Sequence, residues 1–336
     1  MKKTLLFIAF FLCSLFVFAQ DESADSLHQS AKGFMRQGNF DSALLLLNQA
    51  LQIKSNDLSL LKDEAFVNYL KRDFAKSIAI GNKIISRHDA DEQSFQILGL
   101  AYKAIADYKN ADRIYKIGLK KFPNSGILYS EYGDMLSQNK NEAGAIKLWE
   151  KGIQADPNNS NNYYNAVMYY SNHSNFLWAV LYAETFINIE SLTKRTIEIR
   201  DLLVNNYKKL FISTTLNNIS QNGTPFEKAV AATFSKLSDI VKQGFTPETL
   251  TELRTRFILD WDEQFAAKFP FRLFDYHRQL LRDGMFDAYN QWVFGPSIST
   301  DAFQAWINAH NDEVTALQNL QHNMVYKIPP GQYYLH

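Results

Sequence analysis

Cysteine is almost missing from this chain: its 336 residues contain one, Cys13. That residue follows Leu12 and has only twelve residues before it, a poor setting for a lipidated cysteine. Past it there is no thiol, which excludes a disulfide framework, a cysteine nucleophile and a thiolate metal site. Stability must therefore come from packing, and an apolar content of 46% is enough to build a core.

An excess of charge of one sign is also missing. There are 35 Lys and Arg against 35 Asp and Glu, or 33 against 35 once Lys2 and Lys3 are set aside. Nucleic-acid affinity rests on many Lys and Arg contacts to phosphate, so this balance argues against a nucleic-acid partner. After the first twenty residues no segment is apolar enough to span a bilayer. Motifs of catalysis are missing too: there is no HExxH, no GxSxG, no phosphate-binding glycine loop and no paired-carboxylate motif. The chain is expected to be non-enzymatic, with no catalytic residue, cofactor or metal.

What is present begins with Lys2 and Lys3, the apolar run Leu5 to Phe18, and Val17-Phe18-Ala19 with small residues at the two positions a signal peptidase reads. The pattern predicts a secretory leader over 1–19, cut after Ala19. An uncleaved anchor is the alternative, although the run is short against the ~20 residues of a bilayer span. Export follows, to a periplasmic, envelope-associated or released location.

A period of 34 residues then governs the chain. Windows starting at Ala24, Leu58, Glu92, Gly126 and Ser160 follow one another without insertion. Their fourth residues, Leu27, Leu61, Phe95, Tyr129 and Tyr163, are all large and apolar. Their eighth residues are Ala31, Ala65, Gly99, Gly133 and Val167, and their twentieth are Ala43, Ser77, Ala111, Ala145 and Ala179. Small residues at those two places let antiparallel helices approach, while bulk at the fourth, eleventh and twenty-fourth fills the space beside them. An aromatic recurs at the seventeenth place in Phe40, Phe74, Tyr108 and Phe176, with Glu142 departing, and Pro123 and Pro157 stand at the thirty-second.

This pattern resembles the tetratricopeptide repeat family over Ala24 to about Thr193. The resemblance implies an all-α tetratricopeptide-repeat superhelix, an α-solenoid, that binds a protein or peptide. The second repeat departs most, with Asn68 at the eleventh position and Gly81 at the twenty-fourth, which predicts a cavity or a local loosening. In the family the concave surface is lined from the first helix of each repeat. Here those places hold His28, Lys32, Asp63, Phe66, Tyr69, Gln93, Gln96, Leu100, Lys103, Glu131, Asp134, Tyr164, Asn165 and Met168. The lysine, asparagine and arginine set that clamps a peptide carboxylate in chaperone-binding members is absent. An extended peptide in this groove, or a groove filled by the chain's own C-terminal helices, are both open.

After Thr193 the register fades. Lys194 to Phe211 reads as an amphipathic capping helix, and Asn217 to Gly223 as a turn-rich linker, so that 194–223 separates the repeats of 24–193 from a C-terminal helical module over 224–336. Thr224-Pro225-Phe226-Glu227 and Thr246-Pro247-Glu248 announce helices over Pro225 to Lys242 and Pro247 to Lys268. Arg282-Asp283-Gly284-Met285-Phe286-Asp287 echoes Arg36-Gln37-Gly38-Asn39-Phe40-Asp41, predicting a degenerate hairpin from Pro270 to Phe294 that Gly295-Pro296 ends. Asp301 to about Tyr326 reads as one last helix, followed by an extended aromatic tail that docks on the helices or on a partner.

Two other readings remain in this C-terminal part. Phe269, Phe271, Phe274, Tyr276, Trp292 and Phe294, with Trp261 and Trp306, form either a core or a sugar-stacking platform for a glycan-binding accessory protein. Asp275, His277, His310 and Glu313 are the one grouping that suggests catalysis or a metal, within 271–313, against a solvated or structural role. The expectation that covers most of the sequence is an exported scaffold or adaptor of the bacterial cell envelope that holds a protein partner.

Overall fold

The computed structural model describes residues 23–336, so the expected leader lies outside the described residues. Among the described residues every regular element is helical, with eighteen α-helices and one short 3-10 segment. Packing divides the chain into two compact units, between Gly118 and Leu119.

The first unit holds α1 (Ala24–Arg36), α2 (Phe40–Ile53), α3 (Leu58–Leu70), α4 (Phe74–Ile85), α5 (Glu92–Ala104) and most of α6 (Tyr108–Lys121). The second continues with α7 (Gly126–Gln138), α8 (Glu142–Ala155), α9 (Ser160–Asn172) and α10 (Phe176–Ile189). Each 34-residue window thus opens on the first residue of a helix, and its second helix opens at the seventeenth place. Short polar side chains set these starts: Asn39, Asp57, Asp73, Asp91, Ser125 and Asn141 each accept a hydrogen bond from a backbone N–H of the first turn.

The fifteenth place of every window, in the turn between the two helices, has a left-handed backbone. It is occupied by Gly38 (φ 73°), Arg72 (63°), Ala106 (57°), Lys140 (61°) and Ser174 (59°), and the echo in the C-terminal hairpin, Gly284, has φ 70°. Only the two glycines take this conformation without a Cβ penalty. The turn geometry is therefore imposed by the packing of the helices on either side, even where the residue resists it.

Within a hairpin the eighth and twenty-fourth places trade volume. A Cβ on Gly99 would lie 2.4 Å from the Tyr115 ring, and one on Gly133 2.3 Å from Trp149 Nε1. The other repeats pair Ala31 with Leu47 and Val167 with Ala183, so a larger eighth residue faces a smaller twenty-fourth. The second repeat solves the problem differently. A Cβ on Gly81 would meet Leu98 Cδ1 at 3.0 Å, so Leu98 of the next repeat fills the place where a cavity was expected. Asn68, equally out of place by type, is buried, and its Nδ2 donates to Glu64 O at 2.8 Å.

In the second unit, α11 (Lys194–Leu210) packs on α10, and the stretch predicted to be a turn-rich linker is helical, α12 (Ser213–Asn222). Its asparagines face outward while Leu216 is buried, so one apolar anchor outweighs local turn preference. Next come α13 (Pro225–Lys236), a 3-10 turn at Ile240–Gln243, α14 (Pro247–Gln264), and the hairpin of α15 (Arg272–Arg282) and α16 (Phe286–Ile298). Helix α16 runs through Pro296 instead of ending at Gly295. The expected single last helix is broken at His310 into α17 (Thr300–Ala309) and α18 (Asn311–Asn323). One continuous apolar core extends from Ala145 to Ile328, so the C-terminal helices share their interior with the fourth and fifth repeats.

Residues 327–336 close over this core as an extended strap. Ile328 and the Asn158 carboxamide exchange two hydrogen bonds, and Arg272 N–H donates to Gln332 O at 3.0 Å. Tyr334 stacks on Phe226 with ring centroids 3.9 Å apart and planes within 6°. The aromatic tail thus docks on the helices of its own chain.

Candidate partner-binding groove

The expected groove residues fall in both units. In the first unit His28 Nε2 and Asp63 Oδ2 lie 2.6 Å apart, so two expected ligand contacts satisfy each other. Phe66 and Tyr69 stack at 6.1 Å, and Tyr69 packs on Phe74 at 5.8 Å, which makes Tyr69 part of its own hairpin. Lys32, Gln96 and Lys103 are half-buried on α1 and α5.

In the second unit the geometry is different. Asp134, Asn165 and Met168 line one open cleft of about 320 Å³. Helix α7 supplies Asp134, Ser137 and Gln138 from the ninth, twelfth and thirteenth places of its repeat. Helix α9 supplies Asn165, Met168 and Asn172 from the sixth, ninth and thirteenth places of the next. The walls are completed by Glu142, Trp149, Tyr169 and His173. None of the helices α13–α18 lines this cleft, so the C-terminal helices do not fill it.

The cleft is held open by a network beneath it. Asn165 Nδ2 donates to Asp134 Oδ1 at 2.6 Å, and Trp149 Nε1 donates to the same oxygen at 3.2 Å and to Ser130 O at 3.3 Å. These donors fix the carboxylate and the carboxamide before any ligand arrives, which lowers the ordering cost of binding. His173 stacks on Tyr169 with centroids 3.9 Å apart and pairs with Glu142 at 3.1 Å. The lining carries two carboxylates and no Lys or Arg, set beside carboxamides, an aromatic face and the adaptable Met168 side chain.

Two expected groove residues point elsewhere. Tyr164 donates to Glu198 at 2.8 Å and lies under Arg195, 4.9 Å from its ring centroid, so the capping helix α11 occupies it. Glu131 is half-buried on α7 outside the cleft. Conversely, Ser137, Gln138, Glu142, Trp149, Tyr169, Asn172 and His173 line the cleft without being among the expected groove residues. The recurrence of places twelve and thirteen could have indicated Ser137, Gln138 and Asn172, but Trp149 reads as core, Glu142 opens a second helix and His173 caps a first one.

The grouping that suggested chemistry is dispersed. His277 is buried, Asp275 pairs with Arg278 at 3.0 Å, and His310 stacks on Trp306 at 4.3 Å. Among the described residues no cluster of three His, Cys, Asp or Glu could hold a metal ion, and no helix is long and apolar enough to cross a membrane. His277 belongs instead to a buried polar network. Arg254 pairs with Glu184 at 2.7 Å, donates to His277 Nε2 at 3.1 Å and bonds Asn290, while Tyr207 donates to Glu184. Burial and the neighbouring Arg254 charge drive the His277 pKa well below its ordinary value, so it is a neutral acceptor. Burial alone would lower the Arg254 pKa, but Glu184 raises it above the ordinary arginine value. This network joins five helices, α10, α11, α14, α15 and α16, and its chemistry is structural.

Of the aromatic cluster, Phe271, Phe274, Tyr276, Phe294 and Trp261 are core, and Trp292 and Trp306 are half-buried beside a separate cavity.

No protein-family model matches the chain, and no curated protein matches it. Solved structures do. A thermophilic tetratricopeptide-repeat protein of Thermus thermophilus is 13% identical at a TM-score of 0.46, covering 56% of this chain and all of that one. The pilF protein of Pseudomonas aeruginosa is 16% identical at 0.47, covering 62% of this chain and 95% of its own. YrrB, described as a tetratricopeptide-repeat protein with an unusual peptide-binding site, is 17% identical at 0.36 over 53% of this chain and 92% of its own. The chain is thus an all-α protein of helical hairpins, similar to solved structures of tetratricopeptide-repeat proteins.

Proposed function

We propose that this chain is a non-catalytic, exported scaffold of five tetratricopeptide repeats that binds a peptide segment of a protein partner in the cleft between its fourth and fifth repeats. The observation that carries this reading is the convergence of Asp134, Asn165 and Met168 from successive first helices onto one open, preorganised cleft. Carboxamides beside carboxylates match the donors and acceptors of an extended backbone. Asp134 and Glu142, with no Lys or Arg in the lining, favour a segment carrying Lys or Arg.

Peptides selected from a displayed random library should be enriched in Lys or Arg near an apolar residue. Their affinity should fall at least about tenfold in Met168→Glu and in Glu142→Lys. Selection of acidic peptides, or of peptides indifferent to both changes, would refute the placement. Export is supported by Lys2, Lys3, the apolar run Leu5 to Phe18 and the small residue Ala19 that follows it. The mass of the chain recovered from an envelope fraction tests it, and retention of residues 1–19 on a cytoplasmic chain would overturn it.

A further inference from the structure

A second cavity, of about 400 Å³, lies between α16, α17 and α18, away from the groove. Trp292, Phe303, Trp306, Ile307, Val314 and Leu317 form most of its wall. Phe303, Trp306 and Ile307 recur at helical spacing on one face of α17, yet no residue of that helix is buried. The helix is held at Gly295, where an added Cβ would come 2.5 Å from Phe303. An apolar helical face has therefore been folded around a space instead of into the core.

The polar part of the lining is small, Gln318, Gln321 and His322, and no carboxylate is in it. Against the wall residue Trp292 stacks Arg200, its guanidinium carbon 3.9 Å from the ring centroid. Arg200 is 9% exposed, and its Nε and Nη2 have no hydrogen-bond partner. Burial brings its pKa down to about 10, against the opposing pull of Tyr289 and the neighbouring Asp201 carboxylate, so the cation persists at neutral pH. A buried cation with unbonded N–H groups costs free energy, and one behind an apolar wall lends that wall a positive potential, reduced here by Asp201.

We propose that this cavity binds a small amphiphile with a single aliphatic chain and a carboxylate head. A sugar would bring a hydroxyl to most faces of its ring and find three polar side chains to meet them, whereas an acyl chain matches the wall, and a carboxylate head finds the Gln318 and Gln321 amides in the lining and the Arg200 charge behind Trp292. An apolar cavity of about 150 Å³ takes a benzene ring, so this one takes a body roughly two to three times as large, a chain of about ten carbons.

The test is calorimetric titration of the full chain with decanoate and with decan-1-ol. Decanoate should bind, and roughly tenfold more tightly than the alcohol. Val314→Trp and, independently, Ile307→Trp should abolish binding of both while leaving the helical circular dichroism unchanged. Arg200→Met should remove the preference for the carboxylate while the alcohol still binds. Failure of decanoate to bind the wild-type chain overturns the proposal. Equal affinity for acid and alcohol, or a preference that survives Arg200→Met, overturns the assignment of the head group. Binding that persists in both tryptophan variants overturns the location.

Discussion

Replacing Gly133 by alanine tests whether volume exchange between the eighth and twenty-fourth places holds the repeats together. The new Cβ would stand 2.3 Å from Trp149 Nε1 and 2.6 Å from Cδ1, so the indole must move. Overpacking of this kind costs about 1–3 kcal/mol. Moving the indole also breaks its bonds to Ser130 O and to the Asp134 carboxylate, the latter worth about 1.5–3 kcal/mol. Against this, alanine in place of glycine within a helix returns up to ~1 kcal/mol. The balance is a loss of about 2–6 kcal/mol, which for a folding unit of this size lowers the melting temperature by roughly 4–24 °C. The sign is therefore the test: a thermal melt of the full chain followed by circular dichroism should move down, and a melt unchanged or raised would mean that the indole has room. Gly133→Ala combined with Trp149→Leu recreates the alanine and leucine pairing of the first repeat. The double variant should be more stable than the sum of the two single losses by at least about 1 kcal/mol.

Ala106→Gly relaxes a left-handed turn residue at φ 57° and should stabilise the first unit by about 1 kcal/mol in urea titration; destabilisation would mean that the turn does not resist its conformation. Arg254→Met leaves Glu184 buried and unpaired and should cost about 3–5 kcal/mol, whereas adding Glu184→Gln should recover part of that loss; two losses that simply add would show that the pair is not coupled. The strap over residues 327–336 should dock in a pH-dependent way, because His336 Nδ1 lies 3.2 Å from Glu227. The bond to Glu227 raises the His336 pKa, so its contribution is complete below the ordinary histidine value and fades as pH rises through the raised one. Burial alone would raise the Glu227 pKa, but His336, Thr224 and Trp178 bring it down to about 2, so its share is lost only as pH falls toward that value. Hydrogen exchange of the strap, corrected for its intrinsic pH dependence, should quicken as pH rises through and above the ordinary histidine range, and rates independent of pH would refute the coupling.

Much of the repeat geometry was legible because it is periodic. The 34-residue spacing placed both helix starts of all five windows, since capping residues and small contact residues act locally and recur. The departures were harder to interpret. Gly81 reads as a defect until Leu98 is seen in its place, a contact from the following repeat. Asn217 to Gly223 reads as a linker because asparagine favours turns in isolation, and only the burial of Leu216 makes it helical. The groove was legible as a set of positions along first helices, but Tyr164 and Asn165 are adjacent in sequence and have different fates. One is taken by Arg195 and Glu198 of the capping helix, and the other is aimed at Asp134.

The sequence by itself therefore determined the helical class, the period, the hairpin starts and the small-against-large contacts within each hairpin. These depend on interactions within one or two turns of helix or across a single tight turn. The tertiary structure decided which of the expected groove residues meet in one cleft, where the C-terminal helices lie, and how Glu184, Arg254, His277 and Asn290 meet, although 70 positions separate the first two. Such meetings depend on the packing of several helices at once, and no spacing along the chain encodes them.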